Sequence, residues 1–384
     1  MESRIRFLSL NVGMKNNLAG LTSILINQKL DVAFLQEVKL SDEQLGSQVG
    51  RYGYVCQVNI NSEDTSKPGT AMVWRSSLPV KDVTNIFTCR AQVAYLGGYA
   101  LLNVYAPSGS DKKYERGSFF NKEIFRAFSL HPDSTWIFGG DFNCVLQAID
   151  VEDGIGFQQK NCPQLADLVK AKKLKDVFRY LNPLSKEFTF FRTASAPSRL
   201  DRFYLSFDIL VRVLQVEHVA SLSDHCGVVM ELILVDISTP FVKKERRETY
   251  WKLNVAILKD DDFLDNFSDL WCWLRNQKTK YNDIADWWDL EAKPSIKEFC
   301  ILFSERRSCR RRDTKKFWFA YLRTALFARN WKEVSRIKER IDTILFEDAS
   351  GYIIRSRFKN NAANEAALIC TMLTRSLKTV KRTL

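Results

Sequence analysis

The sequence contains no run of about 18 consecutive apolar residues, the length that a membrane-spanning helix requires. Its first ten residues, MESRIRFLSL, also lack the long apolar stretch of a secretory signal. These two absences exclude the usual signatures of membrane insertion and of secretion. We therefore expect a nuclear or cytoplasmic protein that is not secreted and has no membrane partner.

The cysteine and histidine patterns exclude two further classes of protein. The nine cysteines are an odd number, and no two of them form a C-x-x-C pair. A disulfide framework needs paired cysteines, and a structural zinc site needs clustered cysteine and histidine ligands. With only three histidines in 384 residues, neither is expected, and the thiols are predicted to be reduced.

Glycine, proline and charge divide the chain into two regions. Fifteen of the 16 glycines lie before position 241, and Pro294 is the only proline after it. Residues 1–240 carry 26 Lys and Arg against 25 Asp and Glu, whereas residues 241–384 carry 31 against 20. The net charges of +1 and +11, and the segment STPFVKKERRETYW near residues 238–250, indicate a boundary. We predict a first domain at residues 1–238 and a basic helical region at 239–384.

The first region alternates short β-rich runs with longer amphipathic ones, which indicates an α/β domain. The predicted strands are residues 5–12, 31–38, 54–60, 70–74, 99–107, 135–143, 202–206 and 227–235, and the predicted helical stretches are 18–30, 114–130 and 161–173. The second region has apolar residues at helical spacing over 261–276 and 331–351. Gly351 is expected to end the second of these helices, because glycine favours the position just after a helix.

Polar residues recur at or just after the predicted strand ends, where open α/β sheets bind their ligands. A lone acid or amide in such a place is more often a turn residue or a helix cap. Glu37 differs, because a carboxylate after the apolar run VAFL needs a partner or a cation. The whole set comprises Asn11, Glu37, Asp141, Asn143, Asp201, Asp224 and His225.

Together these side chains predict an oxygen-rich pocket for a hard divalent cation, Mg²⁺ or Mn²⁺. His225, beside Asp224, is a candidate general base or phosphate contact, and Asp201 is a candidate to orient its imidazole. Tyr105, in NVYAPSG, offers a phenol to a phosphate oxygen.

Six motifs in a fixed order carry a resemblance to a known superfamily. They are SLNV, LQEV, NVYAP, GGDFN, SRLDR and SLSDH, spread over residues 5–235. In this order they resemble the endonuclease/exonuclease/phosphatase superfamily. The YAP element and the FTFF–SRLD spacing are most similar to abasic-site endonucleases and to the endonuclease domains of non-LTR (LINE-type) retrotransposons. The resemblance implies a four-layer α/β sandwich, in which two mixed β-sheets pack face to face between helices.

The second region adds to this resemblance. TYWKLNVAILKDDDFLDNF (249–267) and GYIIRSRFKNNAANE (351–365) resemble the segment that links endonuclease to reverse transcriptase in vertebrate retrotransposon polyproteins. No FADD-like polymerase motif occurs before Leu384, so the reverse transcriptase is expected to be absent. The resemblance implies DNA as a partner and the element's own RNA as a candidate partner of the basic region.

The resemblance also assigns roles on the metal side of the site. It implies Mg²⁺, with Mn²⁺ as an alternative, bound directly by Glu37. Asp141 would orient or deprotonate the attacking water, and Asn143 would hold water or phosphate. The residues in or near the metal shell would be Asn11, Asp141, Asn143, Asp224 and His225.

On the phosphate side, the resemblance implies that His225, held by Asp201, and Tyr105 contact the scissile phosphate. The residues expected to line the DNA cleft are Thr189, Ser108 and Ser223. The sequence departs from the family pattern in LNVGMKNN, where a second polar residue is lost or displaced, and at Ser108, where an amide is usual. These departures affect the expected target preference and rate.

The leading hypothesis is a Mg²⁺-dependent DNA endonuclease that nicks one strand. An abasic-site endonuclease, 3′-exonuclease or phosphatase is the alternative with the same fold, and a decayed remnant that binds nucleic acid without cutting is the alternative without activity. The stretch ERRSCRRRDTKK (305–316) remains open between a solvated helix face and a nucleic-acid or nuclear-import patch.

Overall fold

The computed structural model describes residues 2–13, 18–61, 63–64, 67–130, 132–193, 195–237, 253 and 255–358. The chain divides into two compact units, Met1–Val242 with Phe319–Asp342, and Lys243–Trp318 with Thr343–Leu384. The first unit therefore holds the predicted domain 1–238 and, in addition, a segment from much later in the chain. The predicted linker at 238–250 lies outside the described residues, as do residues 14–17 of the LNVGMKNN stretch.

The strands of the first unit form two six-stranded sheets and one small sheet. The first sheet has the order β13 (Val213–Val219), β14 (Gly227–Val235), β1 (Glu2–Asn11), β2 (Val32–Val38), β4 (Gly69–Arg75) and β3 (Tyr54–Asn59). The second has the order β5 (Val80–Phe87), β6 (Ala91–Leu96), β7 (Tyr99–Tyr105), β8 (Thr135–Asp141), β12 (Asp201–Ser206) and β9 (Leu174–Asp176). The small sheet pairs β10 (Phe190–Arg192) with β11 (Ser195–Ser198).

Each large sheet is mixed, with one parallel pair. In the first sheet β1 and β2 are parallel, with Asn11 opposite Gln36. In the second sheet β7 and β8 are parallel, with Tyr105 opposite Asp141. The carboxyl ends of each parallel pair therefore lie side by side, as expected for a ligand site in an α/β fold.

Helices pack on the outer face of each sheet, and two short helices contribute Val177, Ile209 and Leu210 to the core between the sheets. The helices are α1 (Leu18–Asn27), α2 (Asp42–Val49), α3 (Lys113–Ser118), α4 (Phe125–Leu130), α5 (Gly154–Lys160), α6 (Pro163–Ala171), α7 (Val177–Leu181) and α8 (Phe207–Leu210), and a π-helical turn at Phe119–Ile124 joins α3 to α4. The start of α2 is fixed by a capping box, in which Ser41 Oγ accepts from Gln44 N at 3.2 Å and Ser41 N donates to Gln44 Oε1 at 3.0 Å.

The apolar core confirms the four-layer sandwich. One cluster lies between the sheets and includes the rings of Phe7 and Phe34 from one sheet and of Phe203 from the other, with centroids 5.8–6.4 Å apart. A second cluster joins the outer face of the first sheet to α1 and α2, and a third joins the outer face of the second sheet to the α3–α4 and α6 region. Gly139 must be glycine, because a Cβ there would lie 2.5 Å from the Phe203 ring.

The second unit is helical, as predicted. It contains α9 (Asp261–Gln277), α10 (Ile284–Trp287), most of α11 (Lys293–Phe327) and the later part of α12 (Trp331–Phe358). The predicted end of a helix at Gly351 is wrong, because α12 continues to Phe358. A glycine ends a helix only where it adopts a left-handed conformation, and a helical glycine costs about 1 kcal/mol relative to alanine. Among the described helices, none combines the length and apolar character needed to cross a membrane.

Candidate active site

Four of the expected site residues lie where the two parallel strand pairs end. Asn11, Tyr105 and Asp141 are the last residues of β1, β7 and β8, and Glu37 is the second-last residue of β2. Asn11 Nδ2 donates to Glu37 Oε1 at 3.1 Å and to Asp141 Oδ2 at 3.0 Å. Tyr105 Oη donates to the same Glu37 oxygen at 3.1 Å. The ends of the two sheets therefore meet in one polar cluster.

A second polar link between the sheets lies behind this cluster and was missed from the sequence. Gln36 Nε2 donates to Asn103 Oδ1 at 2.8 Å, and Asn103 Nδ2 donates to the carbonyls of Leu35 and Ala71. Both side chains are fully buried, so each needs these partners. Gln36 and Asn103 are the glutamine of LQEV and the asparagine of NVYAP, which is the signal that could have identified them.

Two site residues have a left-handed backbone, which is uncommon for any residue but glycine. Glu37 has φ 56° within an irregular step of the β2–β4 pairing, and Asn143 has φ 49° just after β8. Asn143 is held there because its amide N donates to Asp141 Oδ1 at 2.9 Å and its Nδ2 donates to Ala106 O at 2.9 Å. Such conformations concentrate at functional sites, where the surrounding structure enforces them.

The imidazole of His225 lies between two buried carboxylates. Its Nδ1 is 2.8 Å from Asp201 Oδ2, and its Nε2 is 4.0 Å from Asp141 Oδ2. Burial alone lowers the pKa of His225, but the charges of Asp201 and Asp141 outweigh it and raise that pKa to about 10. Burial raises the pKa of Asp141 to about 7, and the charge of Asp201 adds to this rise. These shifts favour the protonated imidazole.

The residues expected to touch DNA have different environments. Thr189 is fully buried, and its Oγ1 accepts from Leu200 N and Asp201 N, each at 3.0 Å. It therefore holds the start of β12, and in this structure DNA could not reach it. Ser223 Oγ donates to Asn11 O at 2.8 Å and accepts from His225 N at 2.9 Å, which ties two site loops together. Ser108 is exposed and lines the cleft.

A cleft of about 970 Å³ opens over these residues. Besides Glu37, Tyr105, Asn143, Asp224 and His225, its walls include Arg90, Lys160, Arg192 and Phe190, which the sequence did not single out. Arg90 lies over the Tyr105 ring at 4.6 Å, and the Phe190 ring is 5.0 Å from the His225 ring. The cleft therefore combines a carboxylate-rich floor with basic and aromatic walls.

The described residues offer two sets of donors for a cation. Asp141, Asp201 and His225 have ligand atoms within 4.8 Å of one another, but the hydrogen bond to Asp201 already engages His225 Nδ1. Glu37 Oε1 and Asp141 Oδ2 both accept from Asn11 Nδ2, so these two carboxylates lie close together, and carboxylate oxygens suit a hard divalent ion better than an imidazole does. Asn143 Nδ2 donates to Asp141 Oδ2 at 3.3 Å, so its amide nitrogen faces that carboxylate. Asn11 turns its amide nitrogen, not its oxygen, towards the carboxylates, while Asp224 is 38% exposed and lies 3.8 Å from Arg192 Nε.

Known proteins are similar to this chain in sequence or in fold. The transposon TX1 uncharacterized 149 kDa protein of Xenopus laevis is 29% identical over 225 residues, which is 56% of this chain and only 16% of that protein's length. The structure of an AP endonuclease from Archaeoglobus fulgidus matches with TM-score 0.52 and 18% identity, over 59% of this chain and 99% of that one. AP endonuclease LMAP from Leishmania major matches with TM-score 0.51 and 18% identity, over 60% and 87%.

The two solved structures support the fold alone, because their sequence identities are low. The profile of the endonuclease/exonuclease/phosphatase family matches residues 8–225, from β1 to the histidine of SLSDH. This match covers more than half of the chain and includes the strand ends that carry Asn11, Glu37, Tyr105 and Asp141. The chain therefore belongs to the endonuclease/exonuclease/phosphatase family.

Proposed function

We propose that this protein is a divalent-metal-dependent DNA endonuclease that hydrolyses one phosphodiester bond and leaves a nick. The observation that carries the proposal is the imidazole of His225, with Asp201 on Nδ1 and Asp141 facing Nε2, on the floor of the cleft. A protonated imidazole can donate to a phosphate oxygen as negative charge develops on it. The 29% identical relative encoded by a transposon supports DNA as the substrate.

The residues present fit a bound Mg²⁺ or Mn²⁺ ion. Glu37, Asp141 and Asn143 would hold it, because hard cations prefer carboxylate and amide oxygens. When bound, the ion would neutralise charge on the phosphate and on the leaving oxygen. Tyr105 keeps Glu37 in place by donating to Oε1, so its phenol acts on the carboxylate as well as on the phosphate side expected from the sequence.

Asp141 is proposed to accept the proton of the attacking water. Burial raises the pKa of this carboxyl to about 7, and a base works best when its pKa is near the working pH. Asn143 N and Asn11 Nδ2 donate to the two oxygens of Asp141, which fixes the plane of the carboxylate. His225 would then stabilise the phosphate from the opposite side. The reaction is hydrolysis by in-line attack of water.

An abasic-site endonuclease or 3′-exonuclease is the second candidate. The observation that favours it is the aromatic ring of Phe190 beside His225, because an apolar wall next to the phosphate site could receive a sugar without a base. The same residues would carry out the same hydrolysis, so the two candidates differ in substrate only.

The proposal is tested by nicking of supercoiled plasmid with Mg²⁺, with Mn²⁺ and with a chelator. We expect the parent protein to produce open circles only with a metal. Asp141→Ala and His225→Ala should each lower the nicking rate by about 10²-fold or more. Asp167→Ala, which removes an exposed carboxylate from α6, is the matched control and should cut at the parental rate.

Two results would count against the proposal. If the parent leaves plasmid intact under all metal conditions, the nicking endonuclease is excluded, and only cleavage of an abasic duplex or of a free 3′ end would keep a nuclease function. If nicking survives both substitutions, the activity comes from another site or from a contaminant. An abasic duplex and an intact duplex of the same sequence then rank the two nuclease candidates, since only the second candidate requires a strong preference for the abasic one.

A further inference from the structure

Two loops that carry site residues are joined into a single block. Phe191 N donates to Asp224 O at 2.8 Å, and Cys226 N donates to Thr189 O at 2.6 Å. The hydroxyl of Thr189 in turn accepts from Asp201 N. The segments 187–192 and 221–226 and the start of β12 therefore move as one unit. This block carries Asp201, Asp224 and His225.

The first compact unit includes a segment about 80 residues beyond the last strand, Phe319–Asp342. It consists of the end of α11 and the start of α12, joined by a short turn in which Arg329 has φ 53°. We call it the 319–342 hairpin. Its buried apolar residues recur at helical spacing and are Leu322, Ala325, Leu326, Val334, Ile337 and Ile341.

The 319–342 hairpin contacts both segments of the block. Lys338 Nζ donates to Ser223 O at 2.6 Å. On the other segment, Arg323 Nη2 donates to Glu187 Oε2 at 2.9 Å, and the ring of Phe327 packs edge-on against Phe191 with centroids 5.5 Å apart. The hairpin thus contacts the two loops in three ways: through a hydrogen bond from a lysine to a carbonyl, through an ion pair and through an aromatic pair. Both loops belong to the block that carries the site residues.

The contact of Lys338 has a specific consequence for the site. The Ser223 carbonyl belongs to the peptide bond that leads into Asp224, so a lysine on this oxygen fixes the orientation of that peptide plane. Ser223 Oγ accepts from His225 N at 2.9 Å, so the backbone of His225 is also held by Ser223. A hydrogen bond from a charged donor is stronger than one between neutral groups, so this contact favours one conformation of the loop over others.

We propose that the 319–342 hairpin is a positioning element of the active site, and that Lys338 is its main positioning residue. Lys338 does not touch the substrate; it holds the loop so that His225 and Asp224 face the cleft. The nuclease would then be discontinuous in sequence, and a chain that ends near residue 238 would lack part of it. This inference rests on the proposed nuclease function, but its structural half can be tested without activity.

The test compares Lys338→Met and Lys338→Arg in the full chain. We expect Lys338→Met to lower kcat for plasmid nicking about tenfold with KM changed less than twofold, and Lys338→Arg to restore most of the rate because it keeps a charged donor. Lys332→Met removes an exposed lysine from the same helix and should leave both constants unchanged. If Lys338→Met does not fold, Phe327→Leu weakens the contact to the other loop and should lower kcat in the same way.

The second readout is the imidazole ¹⁵N spectrum of histidine-labelled protein at one fixed pH without metal. With three histidines in the chain, the His225 signals can be assigned by substitution. We expect them to shift in Lys338→Met and to return in Lys338→Arg. A rise in KM at constant kcat would make Lys338 a DNA contact and overturn the proposal. The proposal would also be overturned if Lys338→Met changed neither kcat nor the His225 signals. If the parent had no nicking activity but Lys338→Met still shifted the His225 signals, only the nuclease function would be refuted.

Discussion

His225 and His218 are the same residue type in equally buried places, yet their pKa values shift in opposite directions. His225 lies between Asp201 and Asp141, whose charges raise its pKa. His218 lies in the edge strand β13, where burial lowers its pKa more than the bond from Nδ1 to Glu187 raises it. The ring of His218 stacks on Phe178 with centroids 4.4 Å apart, and its Nε2 is buried and has no hydrogen-bond partner among the described residues. The charged groups around each ring thus set the direction of its pKa shift. Two carboxylates beside His225 raise its pKa, whereas His218 has one carboxylate and two arginines near it, and its pKa is lowered.

The lowered pKa of His218 makes stability depend on pH in a definite direction. The unfolded chain takes up a proton on this residue below about pH 6.5, whereas the folded chain does so only at its lower pKa. Above pH 6.5 the full contribution is present, and it is lost as the pH falls from 6.5 towards the folded pKa. Glu187, Arg199 and Arg323 are the charged groups that act on the ring.

His218→Phe keeps the stacking on Phe178 but cannot be protonated. We expect its free energy of unfolding to fall less than that of the parent as the pH falls from 6.5. The slopes of unfolding free energy against pH should differ by at most about 1.4 kcal/mol per pH unit. Urea unfolding of parent and variant between pH 5 and 7.5 measures this difference. Parallel curves would mean that His218 is protonated as easily in the folded protein as in the unfolded one.

At the scale of secondary structure, a buried ionic network sets the start of β12. Asp150 accepts from Arg179 Nε at 3.0 Å and from Arg199 Nε at 2.8 Å, and Arg199 also donates to Asp176. Burial raises the pKa of Asp150, but the arginines more than offset this and hold the pKa below its usual value. Since Arg199 is the arginine of SRLD, the network fixes the strand that presents Asp201 to His225.

We expect Asp150→Asn to destabilise the protein by about 3–5 kcal/mol, because the three buried guanidinium groups of Arg179, Arg199 and Arg202 would lose the carboxylate that they share. Asp167→Asn, at an exposed position on α6, should change stability by less than about 0.5 kcal/mol. Urea unfolding of the two variants against the parent provides the measurement. A loss below 1 kcal/mol for Asp150→Asn would mean that Asp176 alone can neutralise the arginines.

For the whole molecule, part of the +11 charge of residues 241–384 is paired with carboxylates of the second unit. In the stretch 305–316, Arg307 pairs with Asp260, and Arg311 and Lys315 both pair with Asp348. Arg306, Arg312 and Lys316 on α11 are exposed. The stretch is thus a helix face with some structural ion pairs and some cations turned to solvent, and its binding to DNA or RNA stays a prediction.

If the exposed cations contact DNA phosphates, changing Arg306, Arg312 and Lys316 together to Gln will weaken binding and reduce its salt dependence. Each phosphate contact contributes about 0.9 to the slope of log K against log salt, so the slope should fall by about 2 to 3. Fluorescence anisotropy of a short duplex without metal, between about 50 and 200 mM salt, measures it. Changing Lys122, Lys170 and Lys175 to Gln alters the net charge equally, and an equal fall in that variant would mean that only total charge matters.

Strands with a clear apolar or β-rich run could be predicted from the sequence, including β3 and β4, which carry none of the motifs. Apolar runs that are buried on both faces, or that end at a motif, predict five of the strands, namely β1, β2, β7, β8 and β14. The edge strands β5 and β13 escaped prediction because their exposed faces interrupt the apolar pattern, with most of β5 exposed or half-buried. β9 and β10 have three residues each, too few for any periodicity.

The sequence by itself determined the family, the layered α/β fold, the strand ends at which Asn11, Glu37, Tyr105 and Asp141 lie, and the place of His225 just before β14. It could do so because these residues adjoin the apolar runs that define the strands. Only the tertiary structure decided that Thr189 is buried, that Asp224 faces Arg192 and that the 319–342 hairpin joins the first unit. Those facts depend on contacts between residues far apart in the chain, and no local pattern encodes such a contact.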